Sequence, residues 1–337
     1  MKRILCFTLA LCLLLPLLVA CNSDDDTIRV GLLSGPTAMG ALKMMEDADP
    51  RYTFKICKTP DEIRSELESG NLDVIALPTN LAATLYNKGT DLKVIALNTL
   101  GVLYIVDATG TVKTLEDLEG KTVYVPNAGS NPEYILRRVL KQHGINATVE
   151  TKYTDAAVIQ SAFVNGLENG DVIEIAALPQ PAATATVISA KKAGKTVTAP
   201  IDLSAEWDEV ESTPIAQGCL VATTDFLEEN PGFIEGLLNQ QDTAEKLTPV
   251  KEFLTDYEAS VAYMTDPANL DAAAKLAVKH GILKAEPIAK QALPKCAITC
   301  KTGAEMKAAL EAFYTILYDY NPAAVGGTVP ASGFYYE

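Results

Sequence analysis

From Ile28 onward, short apolar runs alternate with stretches of helical period: IRVGLLS before TAMGALKMMED, YTFKICK before PDEIRSELESG, LDVIALP before NLAATLYNK, and then LKVIALNT. Strand-length apolar runs separated by amphipathic segments predict an α/β unit with a mainly parallel sheet. The alternation breaks at GVLYIVDATG, a second strand directly after LKVIALNT with no helix between. It restarts after the polar, turn-rich helix KTLEDLEG and runs through KTVYVPN, NPEYILRRVLKQHG, ATVETKYT, AAVIQSAFVNGLENG, DVIEIAALP, ATATVISAKKAG and KTVTAPIDL. This second α/β unit closes near Ser204 to Pro214, where the apolar run IAQGCLVAT leads back out.

Beyond Thr224 the pattern is helical, in DFLEENPGFIEGLLNQQDTAEKLTP, KEFLTDYEASVAYM, LDAAAKLAVKHGI and AEMKAALEAFYTILYDY. Such helices must bury their apolar stripes, and the first sheet, with few and short helices of its own, is the surface available. The expected architecture is one lobe of residues 28–106 and 219–337 with a second lobe, 107–218, inserted into it. The chain would cross twice, near Tyr104 to Ala108 and near Gln217 to Val221.

The first twenty residues have a different pattern. Lys2 and Arg3 precede an apolar run from Ile4 to Val19 and a small residue, Ala20, the three-part layout of a secretory signal. The run is broken by Pro16 and is short of the roughly 20 residues a spanning helix needs. Leu18-Val19-Ala20-Cys21 resembles the bacterial lipoprotein box, which implies diacylglycerol on Cys21 and cleavage before it. Residues 1–20 are thus read as a signal peptide and 21–27 as a lipidated tether, whose acidic stretch Asn22 to Asp26 cannot form a core. The expected location is the outer face of the cell membrane.

Charge narrows the partners. The chain carries 28 basic against 43 acidic residues, and losing residues 1–20 removes two cations to leave a net −17. An acidic surface argues against nucleic acid and anionic lipid as partners. Of seven cysteines, Cys57, Cys219, Cys296 and Cys300 remain beside the lipidated one. Cys57 and Cys219 sit in strand-like runs and read as buried thiols. Cys296 and Cys300 bracket Ala-Ile-Thr in an expected loop, where a disulfide or two free thiols are both open.

Five phrases in order carry a resemblance: IRVGLLSGPTAMG, GNLDVIALPTNLAA, LEDLEGKTVYVPNAGSNPEYILRRVLKQHGI, AALPQPAATA and the ending NPAAVGGTVPASGFYY. With them the chain resembles the solute-binding proteins of ABC importers, in the nitrate, sulfonate and taurine-like group, over nearly all of residues 28–337. The resemblance implies an α/β, two-lobe periplasmic-binding-protein (Venus-flytrap) fold of type II with a two-crossing hinge. It also implies a small-molecule ligand, a permease and its ATPase as partners, and a monomer anchored by lipid.

In open parallel sheets, ligands bind beyond the carboxyl ends of the strands, which two lobes would turn toward each other. The candidate ligand contacts are therefore Ser34, Gly35 and Thr37 after the first strand; Thr79 and Asn80; Asn98 and Thr99; Asn127, Gly129, Ser130 and Asn131; and Gln180. Pro36 and Pro132 each open a helix there, and a helix N-terminus offers free N–H groups to an anion or a carbonyl. All of these residues also suit plain turn and cap chemistry. Gln180 stands where many relatives carry Glu. Trp207, the only tryptophan, either stacks on a ligand or packs the hinge. No Arg or Lys occurs in these loops, which points to a small neutral or singly charged organic molecule held by hydrogen bonds.

Catalysis finds little support. His143 and His280 are each followed by Gly-Ile at the end of a helical period, the place of a C-cap where imidazolium meets the negative dipole end. No nucleophile with a base, phosphate loop or metal cluster is evident, and no cofactor is called for. Two other readings remain open. Soluble enzymes of menaquinone and thiamine-precursor synthesis share the two-lobe fold, and a lipoprotein serving a sensor would use the same cleft.

Overall fold

Burial on both faces selects the inner strands. Val74–Pro78 (β3) and Gly218–Thr223 (β10) are buried almost throughout, whereas Tyr52–Cys57 (β2) exposes Thr53 and Lys55. Continuous apolar runs belong inside a sheet covered on both faces, and alternating ones at its rim. The computed structural model describes residues 27–166, 172–229 and 249–336. Cys21, the signal peptide, the tether before Thr27 and most of the helix expected over 225–249 lie outside them.

Among the described residues are two sheets. In the first, Ile28–Leu33 (β1), Leu92–Thr99 (β4) and Ile298–Lys301 (β11) join the three strands above, and the six lie in the order β11-β4-β10-β3-β1-β2. The second is built from Leu103–Asp107 (β5), Thr122–Tyr124 (β6), Thr148–Glu150 (β7), Ile175–Pro179 (β8) and Thr198–Asp202 (β9), in the order β7-β6-β8-β5-β9. Both are mixed rather than mainly parallel. β1 runs parallel to β2 and β3, and β6 to β7 and β8, but β10 is antiparallel to β3 and β4, and β5 to β8 and β9.

β11 also runs antiparallel to β4, as the last strand added at the rim; the other exceptions have one cause. β5 and β10 each arrive from the other sheet, so each enters at the carboxyl ends of its neighbours and must run against them. Leu103 pairs with Pro179 at the end of β8, and Gly218 pairs with Pro78 at the end of β3. The first crossing is accordingly Leu100 to Val102, ahead of the expected Tyr104 to Ala108, because all of β5 already belongs to the second sheet.

Local signals explain the element starts. Thr59 accepts from Glu62 N ahead of Pro60–Glu68, and Asp155 accepts from Ala157 N ahead of Ala156–Asn165, each satisfying an orphan amide. The polar segment 113–120 tightens to a 3₁₀ turn, Leu115–Leu118, closed by a Thr114–Asp117 capping box. The single helix expected over 37–47 is instead two, Pro36–Met39 and Leu42–Asp47. Between them Gly40 approaches the Tyr257 hydroxyl so closely that a Cβ would lie 2.2 Å from it.

The C-terminal helices cover the first sheet as their stripes require. Phe253, Tyr257, Ala273 and Ala277 share a core with Val30, Leu32, Ile95 and Leu220. A second core runs from the opposite face of that sheet into the inserted unit. There the Gly303–Tyr320 helix meets the other sheet's elements, with Phe313 5.8 Å from Trp207 and Tyr320 5.7 Å from Tyr134, ring to ring. The tail returns to the first sheet, where Tyr336 N donates to Val94 O at 2.9 Å.

Gly218 marks the tightest point of the return crossing. A Cβ there would meet Thr37 Cγ2 at 2.4 Å and Asn98 Oδ1 at 2.8 Å. Gly218→Ala should therefore lower unfolding stability by about 1–3 kcal/mol, the usual range for overpacking, as read from urea denaturation. An unchanged midpoint would mean that the strand entry tolerates the shift.

Candidate functional site

The carboxyl ends of β1, β3, β4, β6 and β8 bring the expected loops together where the sheets face each other. Asn131 Nδ2 donates across the gap to Thr79 Oγ1 and to Gln217 O, both at 3.1 Å. Asn80 Nδ2 reaches Gly129 O at 3.2 Å. On the first-sheet side Thr79 Oγ1 donates to Ala216 O at 2.6 Å, Tyr314 OH donates to Thr79 O at 3.0 Å, and Asn98 Nδ2 donates to Thr37 O at 3.0 Å. Thr37, Thr79, Asn98, Thr99, Asn131, Gln180 and Gln217 are all buried.

Several of these polar groups have no partner among the described residues. Asn131 Oδ1, Gln217 Oε1 and Gln180 Nε2 are buried without a hydrogen bond. The amide orientation of Asn131 is fixed, because Gln217 O can only accept and so must face the NH₂. Gln180 is fixed likewise, since its Oε1 accepts from Thr184 N at 3.4 Å, leaving the NH₂ as the orphan. Buried polar groups are nearly always paired, so these three atoms mark the seam, although Ser204, Thr213, Tyr257, His280 and Tyr335 carry unpaired buried atoms as well.

Beside the seam lies a cavity of about 630 Å³ walled from both sides, within the range of small-molecule pockets. Ser34, Ile282, Leu283, Lys284 and Ile288 line it from one side, and Asp155, Gln160, Ser161, Pro181 and Ser189 from the other. Of the expected contacts only Ser34 lines it directly, while Gln180 precedes its wall at Pro181. Asp155, Gln160, Ser161 and the 282–284 turn carry no mark of this role in the sequence, because they stand on helix faces and on a late turn rather than at strand ends. Gln217 does carry a readable signal, being polar and immediately ahead of an apolar return strand.

The remaining candidates take other places. Gly35 adopts φ 135° at the turn into Pro36, a region favourable to glycine. Asn127 and Gly129 are exposed with positive φ, and Ser130 Oγ donates to Pro126 O at 3.1 Å. The N-terminus opened by Ser130 is partly taken, for Glu133 Oε2 accepts from Gly129 N at 2.7 Å. Trp207 is fully buried, its Nε1 donates to Thr213 O at 2.7 Å, and its ring packs on Phe313. It packs the hinge rather than facing the cavity, since both its polar and apolar surfaces are consumed.

The cysteines are free thiols. Cys57 and Cys219 are buried in β2 and β10. Cys296 and Cys300 do not pair: the expected loop is in part strand β11, and Cys296 Sγ instead donates to Ala292 O at 3.2 Å. Burial pushes both of these thiols up to about 12, far from the thiolate form. His143 and His280 cap their helices ahead of glycines at φ 70° and 73°. His143 does stand near Glu206 and Glu209, with ligand-type atoms within 4.8 Å of one another. Its Nε2, however, lies 3.1 Å from Glu206 O, which engages that nitrogen already.

Two facing mixed sheets, joined twice and each completed by a strand from the other side, define the two-lobe α/β fold of periplasmic binding proteins. The chain belongs to the NMT1/THI5-like family, whose model matches residues 84–265. It is similar in structure to an ABC transporter protein from Parabacteroides distasonis, at 22% identity and TM-score 0.73 over 93% of this chain and 99% of that one. It is also similar to the periplasmic aliphatic sulphonate binding protein SsuA of Escherichia coli, at 18% identity and TM-score 0.66 over 93% and 92%. A Candida albicans protein described as having the generic periplasmic-binding-protein fold matches at 12% identity and TM-score 0.53 over 91% and 92%. No curated protein matches the sequence.

The seam separates two neighbouring residues that look alike in the sequence. Asn131→Ala removes two donated bonds from a buried position and should cost about 1–3 kcal/mol, whereas Ser130→Ala, half-exposed, should cost less than about 1 kcal/mol. Chemical denaturation of both variants checks the order; equal losses would mean that Asn131 does not bridge the sheets.

Proposed function

We propose that this chain is the lipid-anchored, extracytoplasmic solute-binding component of an ABC importer. It takes a small organic molecule between its lobes and presents it, as a monomer, to a permease driven by its ATPase. One observation carries this reading: polar side chains from both sheets converge, some without partners, beside a two-walled cavity at the strands' carboxyl ends. The family membership and the transporter proteins among the structural neighbours support it, and so does the signal with its lipid box. Among the described residues no helix is long and apolar enough to cross a membrane; in this reading attachment is through Cys21.

In this reading residues 28–106 and 219–337 move against 107–218 about two flexion points, Leu100–Val102 and Ala216–Gln217. A ligand touching both lobes stabilises the closed state through contacts made only there, which is what shifts a hinge equilibrium. A solute that raises the melting temperature should also reduce the radius of gyration in small-angle scattering. An unchanged profile at saturation counts against hinge closure.

The anchor makes a separate prediction. Cys21→Ser should release the protein from the membrane fraction while ligand-induced stabilisation persists. Retention of the variant in membranes would show that something other than the lipid holds it.

A further inference from the structure

The walls of the cavity constrain the chemistry of the solute, an inference that rests on the solute-binding reading. Ile282, Leu283 and Ile288 stand on one side, and Ala182 and Ala185 of the Ala182–Lys192 helix on the other, so much of the lining is aliphatic and its small residues leave room. Only two of the described residues lining the cavity are charged, and they come from opposite lobes. Lys284 belongs to the lobe of the first sheet and Asp155 to the inserted one.

Neither charge is answered within the protein. Asp155 Oδ1 accepts from Ala157 N at 2.7 Å as the cap of its helix, while Oδ2 has no hydrogen-bond partner among the described residues. Lys284 forms no ion pair with Asp155 or with any other described residue. Both are exposed as the lobes stand, where water meets them. Closure around a solute takes that water away, and an ion without a partner in a closed cavity is costly.

We infer that the solute is a zwitterion of no net charge, with an ammonium and an acid group on an aliphatic body. Its ammonium meets the Asp155 carboxylate on one lobe, its acid group meets the Lys284 ammonium on the other, and its body lies against Ile282, Leu283 and Ile288. Charge-assisted bonds of this kind are the stronger ones. Because each end is held by a different lobe, both bonds form together only in the closed state, the condition for a solute to shift the hinge. A solute with a single charge leaves the opposite wall unanswered.

The test reads melting temperatures of the purified protein with zwitterions and their singly charged twins: leucine against N-acetylleucine and leucinamide, ε-aminocaproate against caproate and hexylamine, and homotaurine against propanesulfonate and propylamine. The first two sets differ in the distance between the charges, and the third separates a sulfonate end from a carboxylate. A zwitterion should stabilise, with each of its twins binding about tenfold more weakly, the loss of one charged hydrogen bond. Asp155→Asn keeps the helix cap, since Asn caps as well as Asp, and Lys284→Gln alters an exposed side chain, so both should melt close to the parent without added compound. Asp155→Asn should erase the preference for the zwitterion over its acid-only twin, and Lys284→Gln the preference over its amine-only twin.

Twins that stabilise as well as their zwitterion would overturn the assignment, as would a preference that survives both substitutions. Asp155 and Lys284 would then pair with each other on closure or take no part, and the solute-binding reading would stand. Stabilisation by the neutral probes benzamide or uracil alone likewise overturns the zwitterion and keeps that reading. No response to any of these compounds removes both.

Discussion

Everything in this molecule depends on how a strand can enter a sheet from the carboxyl end of its neighbours. β10 comes in between β3 and β4 with Gly218 at the rim, and β5 does the same beside β8. Because each arrives through the gap, each runs antiparallel and delivers its first residues to the place where the parallel strands release theirs. Thr79, Asn98, Thr99, Gln180 and Gln217 therefore crowd one region although they come from four separate stretches of sequence. The crowding requires Gly218, whose missing side chain leaves room for Thr37 and Asn98.

The gap is held unevenly, and that shapes what can move. On one side the Gly303–Tyr320 helix and Trp207 fuse the two lobes through aromatic contacts within a continuous apolar core. On the other, the Glu286–Ala292 helix meets the Ala182–Lys192 helix beside the cavity that Leu283 and Ile288 line. Apolar burial at roughly 25 cal/mol per Å² makes the first side costly to open, while the seam beside the cavity is bridged by the hydrogen bonds of Asn131 and Asn80.

Much of this was legible in advance, and the reasons differ by residue. The strand order along the chain and the missing helix before GVLYIVDATG showed as pattern, because buried strands must be continuous apolar runs. The loops at the strands' carboxyl ends showed because turn residues end strands. The pattern could not show that β5 and β10 run antiparallel, since direction is set by the partner sheet and not by the strand's own residues. Nor could it place Trp207, whose surroundings come from a helix a hundred residues away. Asp155 and Lys284 escaped because helix faces and late turns carry no local mark of facing a cavity. Cys296 and Cys300 were spaced for a bridge, but an extended strand and a thiol bond to Ala292 O point them elsewhere.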